Sequence, residues 1–461
     1  MNGLIALTSR ALDFFGVTLQ GDIVSTVRAQ LERPVVRASA WSFGGYGAQQ
    51  VLRFANNLIL TRLLFPEAFG ILALVQTVIV GLNLFSDTGV ETFIIQNPIG
   101  EEPDYLRTGW TISIIRGFAL SLAAALLAGP IARFYGYPEL RYLIPVVGLN
   151  SAVRGFQSMT VWLAQRRLRM GKIVCFELLG QVSGLALMIA LAVVWKSVWV
   201  LVIGMAGGAL VSLALSHILF PDVRMRLRFS RPVAKEMFRF GRWIFISTVL
   251  TFVLNHLDRI LLGRFMTADK LGLYSIALML ATFAPMALQA VAGKVLLPVY
   301  SNYMRMDMQE MRRRMFRIRF VMMALTLPPI YVLMLFGSRI VQFLYDDRYY
   351  EAGWMLQVLA AGAAFSVICA SIGPVLLAAG DSFAHAFFVG INVIIVMLCL
   401  GVGGWASGGD GIVVGRALSM ALYYVPLVVM IRKHHAALPL LDAAAIGATI
   451  LVAAAAFWVW V

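Results

Sequence analysis

The chain has 461 residues, of which 60% are hydrophobic and only 13% are charged. A soluble globular protein carries about 25% charged residues, so the composition excludes that class. The net charge of +15 is compatible with acidic ligands, but most of it fits the excess of Lys and Arg expected in cytoplasmic loops, and we expect no nucleic-acid partner.

Residues 1–38 do not form a membrane span, because charged residues interrupt every apolar run in them. They predict either one or two amphipathic helices on the membrane surface or an unstructured extension. The same charges argue against a cleaved signal peptide.

Apolar runs long enough to cross the hydrocarbon core recur along the rest of the chain. A membrane barrel would show alternating segments of about ten residues instead. The predicted fold class is therefore an all-α polytopic integral membrane protein with 12 to 14 transmembrane helices. We place thirteen, at residues 40–63, 68–94, 109–132, 140–165, 172–195, 197–220, 240–262, 271–301, 319–344, 353–379, 383–406, 411–431 and 438–461.

The loops predict a cytoplasmic N-terminus. Basic residues concentrate in every second loop, at 166–172, 224–242, 305–317 and 432–433, whereas the intervening loops carry few. The loop after the second span, with Arg107 as its only base, is the exception. This asymmetry is the positive-inside pattern.

The longest predicted cytoplasmic connection divides the chain into an N-terminal six-helix lobe at 39–220, an amphipathic linker at 221–239, a C-terminal six-helix lobe at 240–432 and an additional helix within 433–461. Two similar acidic turns support an internal repeat at a constant offset of 202 residues, which relates Leu60, Arg62, Glu67 and Gly70 to Leu262, Arg264, Asp269 and Gly272. We expect two lobes related by a pseudo-twofold axis along the membrane normal, around a central cavity.

Charged residues lie inside the predicted spans, where each costs about 3 kcal/mol or more. The bases outnumber the acids: the bases are Arg53, Arg116, Arg154, Arg259, Lys294 and Arg416, and the acids are Asp87, Glu177 and Asp258. Pairing between helices or snorkelling explains some of them, most readily Glu177, Asp258 and Arg416. The surplus of bases predicts a cavity for an anionic, phosphate-bearing amphiphile, because the arginine fork donates two hydrogen bonds to phosphate.

His256 lies two residues before Asp258. Histidine titrates near neutral pH, so this residue is a candidate for proton coupling, although a polar residue at a helix end is the simpler interpretation. Asp87, Glu177 and Asp258 are candidates for ion coupling or charge pairing. No zinc spacing or disulfide framework accompanies the three cysteines, and no cofactor is expected.

An ordered set of motifs resembles the bacterial polysaccharide transporter family, the Wzx-type oligosaccharide flippases of the multidrug/oligosaccharidyl-lipid/polysaccharide exporter superfamily. The likeness covers roughly residues 38–432. The motifs are LTRLLFPEAFGILAL at 60–74, FSDTGVETFIIQ at 85–96, WLAQRRLRMGKIVCFELLG at 162–180, VWVLVIG at 198–204, NHLDRILLGRFMTADKLGLYSIA at 255–277 and LLPVYS at 296–301.

The resemblance implies two six-helix lobes around a central cavity and alternating access between the leaflets of the bacterial inner membrane. It implies, as substrate, undecaprenyl diphosphate that carries an oligosaccharide repeat unit. Asp87, Asp258 and Arg259 lie within the matched motifs. The partners expected are membrane lipids, a polysaccharide polymerase and chain-length or export proteins. No phosphate-binding GxxxxGK[ST] loop is present, so H⁺ or Na⁺ coupling, or pull by polymerisation, is expected in place of ATP hydrolysis.

Three alternatives stay open. A multidrug/cation antiporter of the same superfamily would need a net acidic cavity. A flippase for another lipid fits the same residues. A membrane enzyme, such as a polysaccharide polymerase or acyltransferase, would need a large outer loop or an intramembrane catalytic histidine, and only His217 and His256 come near. The chain departs from the family pattern in its long N-terminal extension and in its thirteen predicted spans, where twelve or fourteen are typical.

Overall fold

The computed structural model describes residues 34–291, 296–304 and 306–460. The expectation for the N-terminal extension, up to residue 33, and the candidate Lys294 lie outside these residues. All regular secondary structure in the described ranges is helical, which confirms the all-α class. The chain divides into two compact units, with a boundary between Gly272 and Leu273. The predicted lobes, divided at 221–239, stay a prediction.

The first unit contains nine α-helices and the start of a tenth. They are α1 (Pro34–Leu63), α2 (Pro66–Phe85), α3 (Val90–Gln96), α4 (Pro103–Tyr135), α5 (Leu140–Gly155), α6 (Thr160–Arg166), α7 (Met170–Val194), α8 (Trp199–Ile218), α9 (Arg231–Phe265) and α10 (Ala268–Val291), with a 3-10 turn at Pro98–Glu101. The major packing partners are α4 with α5, α7 with α8, and α1 with α7.

The second unit continues from α10. Its helices are α11 (Leu297–Tyr303), α12 (Met308–Leu344), α13 (Ala352–Ile372), α14 (Pro374–Ala378), α15 (Ser382–Leu422), α16 (Tyr424–Arg432) and α17 (Pro439–Trp460), with a 3-10 turn at Asp347–Tyr349. Here α12 packs mainly against α13, and α13 also contacts α15 and α17.

Nine helical stretches in the described residues are long and apolar enough to cross a membrane. One of them, Phe383–Arg432, is broken at Ser407 and Gly408, where the backbone leaves the helical region. The repeated spans confirm a multi-span membrane protein, and the number thirteen stays a prediction.

The predicted span 68–94 is wrong as a continuous helix, because α2 ends at Phe85 and α3 begins at Val90. The Asp87 carboxylate accepts a hydrogen bond of 2.9 Å from the Gly89 backbone N–H, and Gly89 has a left-handed φ of 67°. An Asp side chain that bonds the backbone two residues on competes with the helix, and glycine allows the turn.

The predicted span 140–165 is likewise two helices, with a break between Gly155 and Thr160. Hydroxyl groups satisfy the backbone at the break. The Ser158 N–H donates to Ser216 Oγ at 3.1 Å, and Thr160 Oγ1 donates to the Phe220 carbonyl at 2.7 Å. These two bonds fasten the break to the end of α8 and the residues after it.

Two predicted boundaries also change. The span predicted at 319–344 belongs to a helix that begins at Met308, because Asp307 caps its first turn by accepting from the Gln309 N–H at 3.0 Å. Helix α9 starts at Arg231, so the second half of the predicted linker is helical and continuous with the next predicted span. Pro232 lies in the first turn of α9, where proline is favoured. Hydropathy alone did not predict the first turns of α9 and α12, because both turns carry charged residues.

Three loops predicted to be cytoplasmic meet at one end of the first unit. Arg167 contacts Glu101 at 2.9 Å, Arg169 contacts Asp222 at 2.8 Å, and Arg228 contacts Asp104 at 2.6 Å; the first two contacts join three different loops. The predicted topology requires these loops to share a side.

In the second unit, two loops that the predicted topology puts on one side of the membrane are also in contact. Asp381, between α14 and α15, forms an ion pair with Lys433, which follows α16. A hydrogen bond from Lys433 is the main reason that the pKa of Asp381 falls to about 2, so this carboxylate stays charged at physiological pH. Both loops were predicted on the cytoplasmic side.

The first turns of α2 and α10 cross at two glycines within the first unit. A Cβ on Gly70 would overlap the Ala268 carbonyl oxygen, and a Cβ on Gly272 would overlap the Pro66 carbonyl oxygen. These glycines are the pair that the internal repeat relates. The repeat therefore brings two equivalent turns into backbone contact, which only glycine permits.

We expect Gly70→Ala and Gly272→Ala each to destabilise the protein by about 1–3 kcal/mol, because the added methyl group must push two backbones apart. The measurement is the apparent Tm of the detergent-purified protein. Gly44→Ala is the matched control, since a Cβ there meets no atom within 4 Å. Equal Tm values for the Gly70 and Gly44 variants would contradict the close crossing.

Candidate functional site

A group of charged residues surrounds the break between α2 and α3. Arg116 of α4 is half-buried there, and its Nε donates to Ser86 Oγ at 3.0 Å while Nη2 donates to the Asn83 carbonyl at 2.7 Å. Thr248 Oγ1 of α9 donates to the Leu84 carbonyl at 2.9 Å. Side chains of two other helices thus satisfy the carbonyls that the end of α2 leaves open.

The acidic side of the group comes from the α2–α3 turn and the start of α3. Asp87 lies in the turn, and Glu91 in the first turn of α3 lies within electrostatic range of Asp87, Arg116 and Arg154. We call Asp87, Glu91, Arg116 and Arg154 the break cluster. Glu91 was not among the candidates of the sequence analysis, and the structure adds it to the group.

Arg154 is the accessible base of the break cluster. It lies in the last turn of α5 with an exposed side chain. No carboxylate in the described ranges forms an ion pair with it within 4 Å, although Glu91 attracts it from farther away. A guanidinium in this position can bind an anion without first breaking a close ion pair.

Arg53 and Glu177 lie elsewhere, on the adjacent helices α1 and α7. Arg53 is exposed, and Glu177 accepts a hydrogen bond of 2.7 Å from Gln49 Nε2 of α1. Glu177 therefore has a neutral hydrogen-bond partner on the neighbouring helix, and its role in charge pairing or ion coupling stays a prediction. The described residues provide no contact that joins this pair to the break cluster.

A third group occupies one turn of α9. Asp258 is only 1% exposed, and its Oδ1 accepts from the Arg259 backbone N–H at 2.8 Å. Arg259 Nη1 lies 3.5 Å from His256 Nδ1, and the His256 ring stacks on Phe252 with centroids 5.3 Å apart. The predicted acid, base and imidazole are thus local neighbours on one helix.

Arg416 is a residue of α15 in the second unit and is 8% exposed. Lys294 lies outside the described residues. The residues predicted for one cavity consequently lie in several places: the break cluster, the α1–α7 pair, the α9 turn and α15. Whether they line one cavity is not tested by these contacts and stays a prediction.

The sequence analysis missed a buried ion pair in the second unit. Arg319 of α12 is 0% exposed and pairs with Asp442 of α17, which is 1% exposed. Arg319 Nε also donates to Ser371 Oγ at 3.2 Å, and Tyr300 donates its hydroxyl to the Ser371 carbonyl at 2.9 Å. Four helices, α11, α12, α13 and α17, therefore meet at one polar centre.

Both members of this pair lie near the start of a predicted span, Arg319 in 319–344 and Asp442 in 438–461, and the sequence analysis did not include them among the intramembrane charges. One feature could have identified them. Asp442 is the single charged residue of α17, and a lone carboxylate in an apolar helix requires a base on a neighbour. Among the described residues no group of three or more His, Cys, Asp or Glu side chains could hold a metal ion.

The sequence profile of a family described as "Polysaccharide biosynthesis protein" matches residues 59–353. Similar proteins include "Lipopolysaccharide biosynthesis protein WzxC" of Escherichia coli (strain K12), with 22% identity over 80% of this chain and 74% of that protein. "Succinoglycan biosynthesis transport protein ExoT" of Rhizobium meliloti (strain 1021) has 24% identity over 76% of this chain and 70% of that protein.

Solved structures share the fold. "Lipid II flippase MurJ, inward closed conformation" has a TM-score of 0.71 and 10% identity, covering 92% of this chain and 91% of that one. A multidrug resistance MATE family transporter in an inward-facing conformation has a TM-score of 0.60 and 14% identity, covering 84% of this chain and 94% of that one. At these identities the matches establish a membrane-transporter fold alone.

We expect Arg319→Met and Asp442→Leu each to lower the apparent Tm, because breaking a buried ion pair leaves an uncompensated charge that costs about 3–5 kcal/mol. The double variant Arg319→Met/Asp442→Leu should recover most of that loss, because it removes both charges. The measurement is thermal unfolding in detergent. Additive losses in the double variant would show that the two residues do not act as a pair.

Proposed function

This chain belongs to the polysaccharide biosynthesis protein family, and from that premise we propose that it is a flippase for lipid-linked oligosaccharides. The family match, the transporter fold and the relatives named for polysaccharide biosynthesis and transport support this function. A flippase moves its substrate without changing it chemically, so we propose no enzymatic activity. The proposed location is the bacterial inner membrane, with a cytoplasmic N-terminus.

The proposed substrate is undecaprenyl diphosphate carrying an oligosaccharide repeat unit, moved from the cytoplasmic to the periplasmic leaflet for exopolysaccharide, capsule or O-antigen synthesis. The observation that carries this proposal is the break cluster. Glu91 lies within electrostatic range of both Arg116, which hydrogen bonds hold at the helix break, and the exposed Arg154. Two guanidinium groups around one carboxylate suit a diphosphate that replaces it.

In the proposed cycle, Asp87 and Glu91 act as internal counterions while the site is empty. They lower the cost of keeping two arginines at membrane depth. The diphosphate then replaces Glu91 as the anion nearest to Arg154, and the prenyl tail stays in lipid. Alternating access exposes the bound headgroup first to one leaflet and then to the other.

The proposed driving force is an ion gradient or removal of the product by a polysaccharide polymerase. Asp258 is the better candidate for H⁺ or Na⁺ coupling, since it is buried and lies in the same helical turn as His256. Asp87 and Asp258 each accept one backbone hydrogen bond, but Asp87 is only half-buried. The proposed partners are the polymerase and chain-length or export proteins.

We expect Arg154→Gln and Arg116→Gln each to slow transport of an undecaprenyl-diphosphate oligosaccharide by about 10-fold or more, because each removes charged hydrogen bonds worth about 1.5–3 kcal/mol. The measurement is the rate at which the sugar becomes accessible across the bilayer of proteoliposomes. Arg133→Gln is the matched control, an exposed arginine at the other end of α4.

Full activity of Arg154→Gln and Arg116→Gln would contradict the diphosphate site and leave the flippase proposal intact. Absence of transport by the wild-type protein, with this substrate and with any ion gradient, would contradict the proposed substrate itself. Arg53→Gln is a third variant for the same transport assay. It tests a predicted cavity base that has no hydrogen bond or ion pair with the break cluster in the described residues.

For coupling, we expect a proton gradient to accelerate wild-type transport and Asp258→Asn to abolish that acceleration, because the amide cannot release a proton. The measurement compares rates with and without the gradient, and Asp87→Asn serves as the matched carboxylate control. An Asp258→Asn protein that still responds to the gradient would exclude Asp258 as the coupling residue.

A further inference from the structure

A polar stripe runs along α1, and none of its residues belongs to the proposed diphosphate site. It consists of Tyr46, Gln49, Gln50, Arg53, Asn56 and Asn57. At about 100° per residue these positions fall within an arc of about 120°, and they extend along about 16 Å of the helix. We call this set the α1 stripe.

The α1 stripe lies at the edge of the face that packs on α7. Gly45 marks the packed face, because a Cβ there would overlap Val174. Gln49 joins α1 to α7 by two hydrogen bonds. Gln49 Nε2 donates to Glu177 Oε2, and Gln181 Nε2 donates to the Gln49 backbone carbonyl at 3.1 Å. Of the other stripe residues, Arg53 is exposed and Gln50 is 8% exposed.

The opposite side of α1 is apolar and open. Val51 is 66% exposed and lies about 160° around the helix from Arg53. Ile59 is 40% exposed. Such side chains suit contact with lipid, whereas amide groups and a guanidinium do not. Because α1 is a predicted span, the exposed guanidinium of Arg53 on its polar side requires water or a polar ligand.

The chemistry of the α1 stripe suits hydroxyl groups better than phosphate. Gln and Asn amides each offer donors and an acceptor, as does the hydroxyl of Tyr46. Gln50 Nε2 already donates to the Tyr46 hydroxyl at 2.8 Å, which holds both side chains in place. Asn56 Oδ1 is shielded from solvent and accepts no hydrogen bond from the described residues.

We infer that the α1 stripe, with Glu177 and Gln181 of α7, holds the oligosaccharide part of the substrate. The inference rests on the proposed flippase function and assigns the glycan to a surface distinct from the break cluster. Neutral amides match the sugar hydroxyls, the Tyr46 ring offers a flat apolar face, and Arg53 supplies a positive charge for an acidic sugar.

The test is cysteine accessibility in proteoliposomes. Cys175, Cys369 and Cys399 are replaced by Ala, and single cysteines are introduced as Gln49→Cys, Arg53→Cys, Val51→Cys or Ile59→Cys. A charged, membrane-impermeant methanethiosulfonate reacts with the thiolate, which forms only in contact with water. We expect the two stripe cysteines to react about 10-fold faster or more than the two on the apolar side, as a thiol in lipid stays protonated.

Protection identifies the ligand. We expect lipid-linked oligosaccharide, extracted from membranes of the organism that carries this gene, to slow labelling of the stripe cysteines. Undecaprenyl diphosphate without sugar should protect them much less. In the transport assay, Gln50→Leu should slow the oligosaccharide-bearing lipid about 5-fold, since a neutral hydrogen bond contributes about 1 kcal/mol, and should leave the sugar-free lipid unaffected.

Equal protection by both lipids would overturn the glycan assignment, because the stripe would then hold the diphosphate or the prenyl chain. So would equal labelling of Gln49→Cys and Val51→Cys, which would make the stripe a helix–helix contact. If a lipid that the wild type transports gives no protection from labelling, the glycan assignment is overturned and the flippase proposal stands. A wild-type protein that transports no such lipid overturns both proposals.

Discussion

The cost of placing charge in hydrocarbon governs this structure more than any other constraint. Every charge that the sequence puts into an apolar helix must find a partner, water or a ligand. Arg319 shows the structural solution, since it is fully buried and pairs with Asp442. Glu177 shows the intermediate solution, with a neutral amide as its partner. Arg53 and Arg154 are exposed and form no ion pair with the described part of the chain, so water or a ligand must solvate them.

The break between α2 and α3 follows the same rule for backbone groups. Non-helical backbone at membrane depth is tolerated only where it is buried in protein or lines a wet cavity. Here Arg116 and Thr248 satisfy two carbonyls at the end of α2, and Asp87 satisfies the Gly89 N–H. The break costs little because side chains complete it, and it brings charged groups of several elements together. A local turn thereby becomes a place where an anion can bind.

Much of the fold could be predicted from the sequence, because hydropathy reports long helices and the ordered motifs report the family. The helix breaks could not be predicted, since a hydropathy window averages a short interruption such as residues 86–89 into the apolar helices beside it. The site was harder still. Grouping Arg116 with Glu91 and Arg154 depends on which helices pack together, and this is not local information. The pairing of Asp442 with Arg319 is equally non-local, since the two residues lie on helices far apart in sequence.

Two kinds of polar surface in the first unit suit the two chemically different parts of a lipid-linked oligosaccharide. The break cluster combines two arginines with two carboxylates, and in the proposed cycle the diphosphate takes the place of Glu91 as the anion nearest to Arg154. The α1 stripe is mostly neutral, and its amides can reorganise around hydroxyl groups of varied stereochemistry. In this proposal the diphosphate is bound strongly and in a fixed geometry, whereas the glycan is held by weaker hydrogen bonds. The glycan could then differ among family members while the diphosphate-bearing lipid stays the same. On this argument, differences in substrate between relatives should concentrate on helix faces such as the α1 stripe and leave the charged break alone.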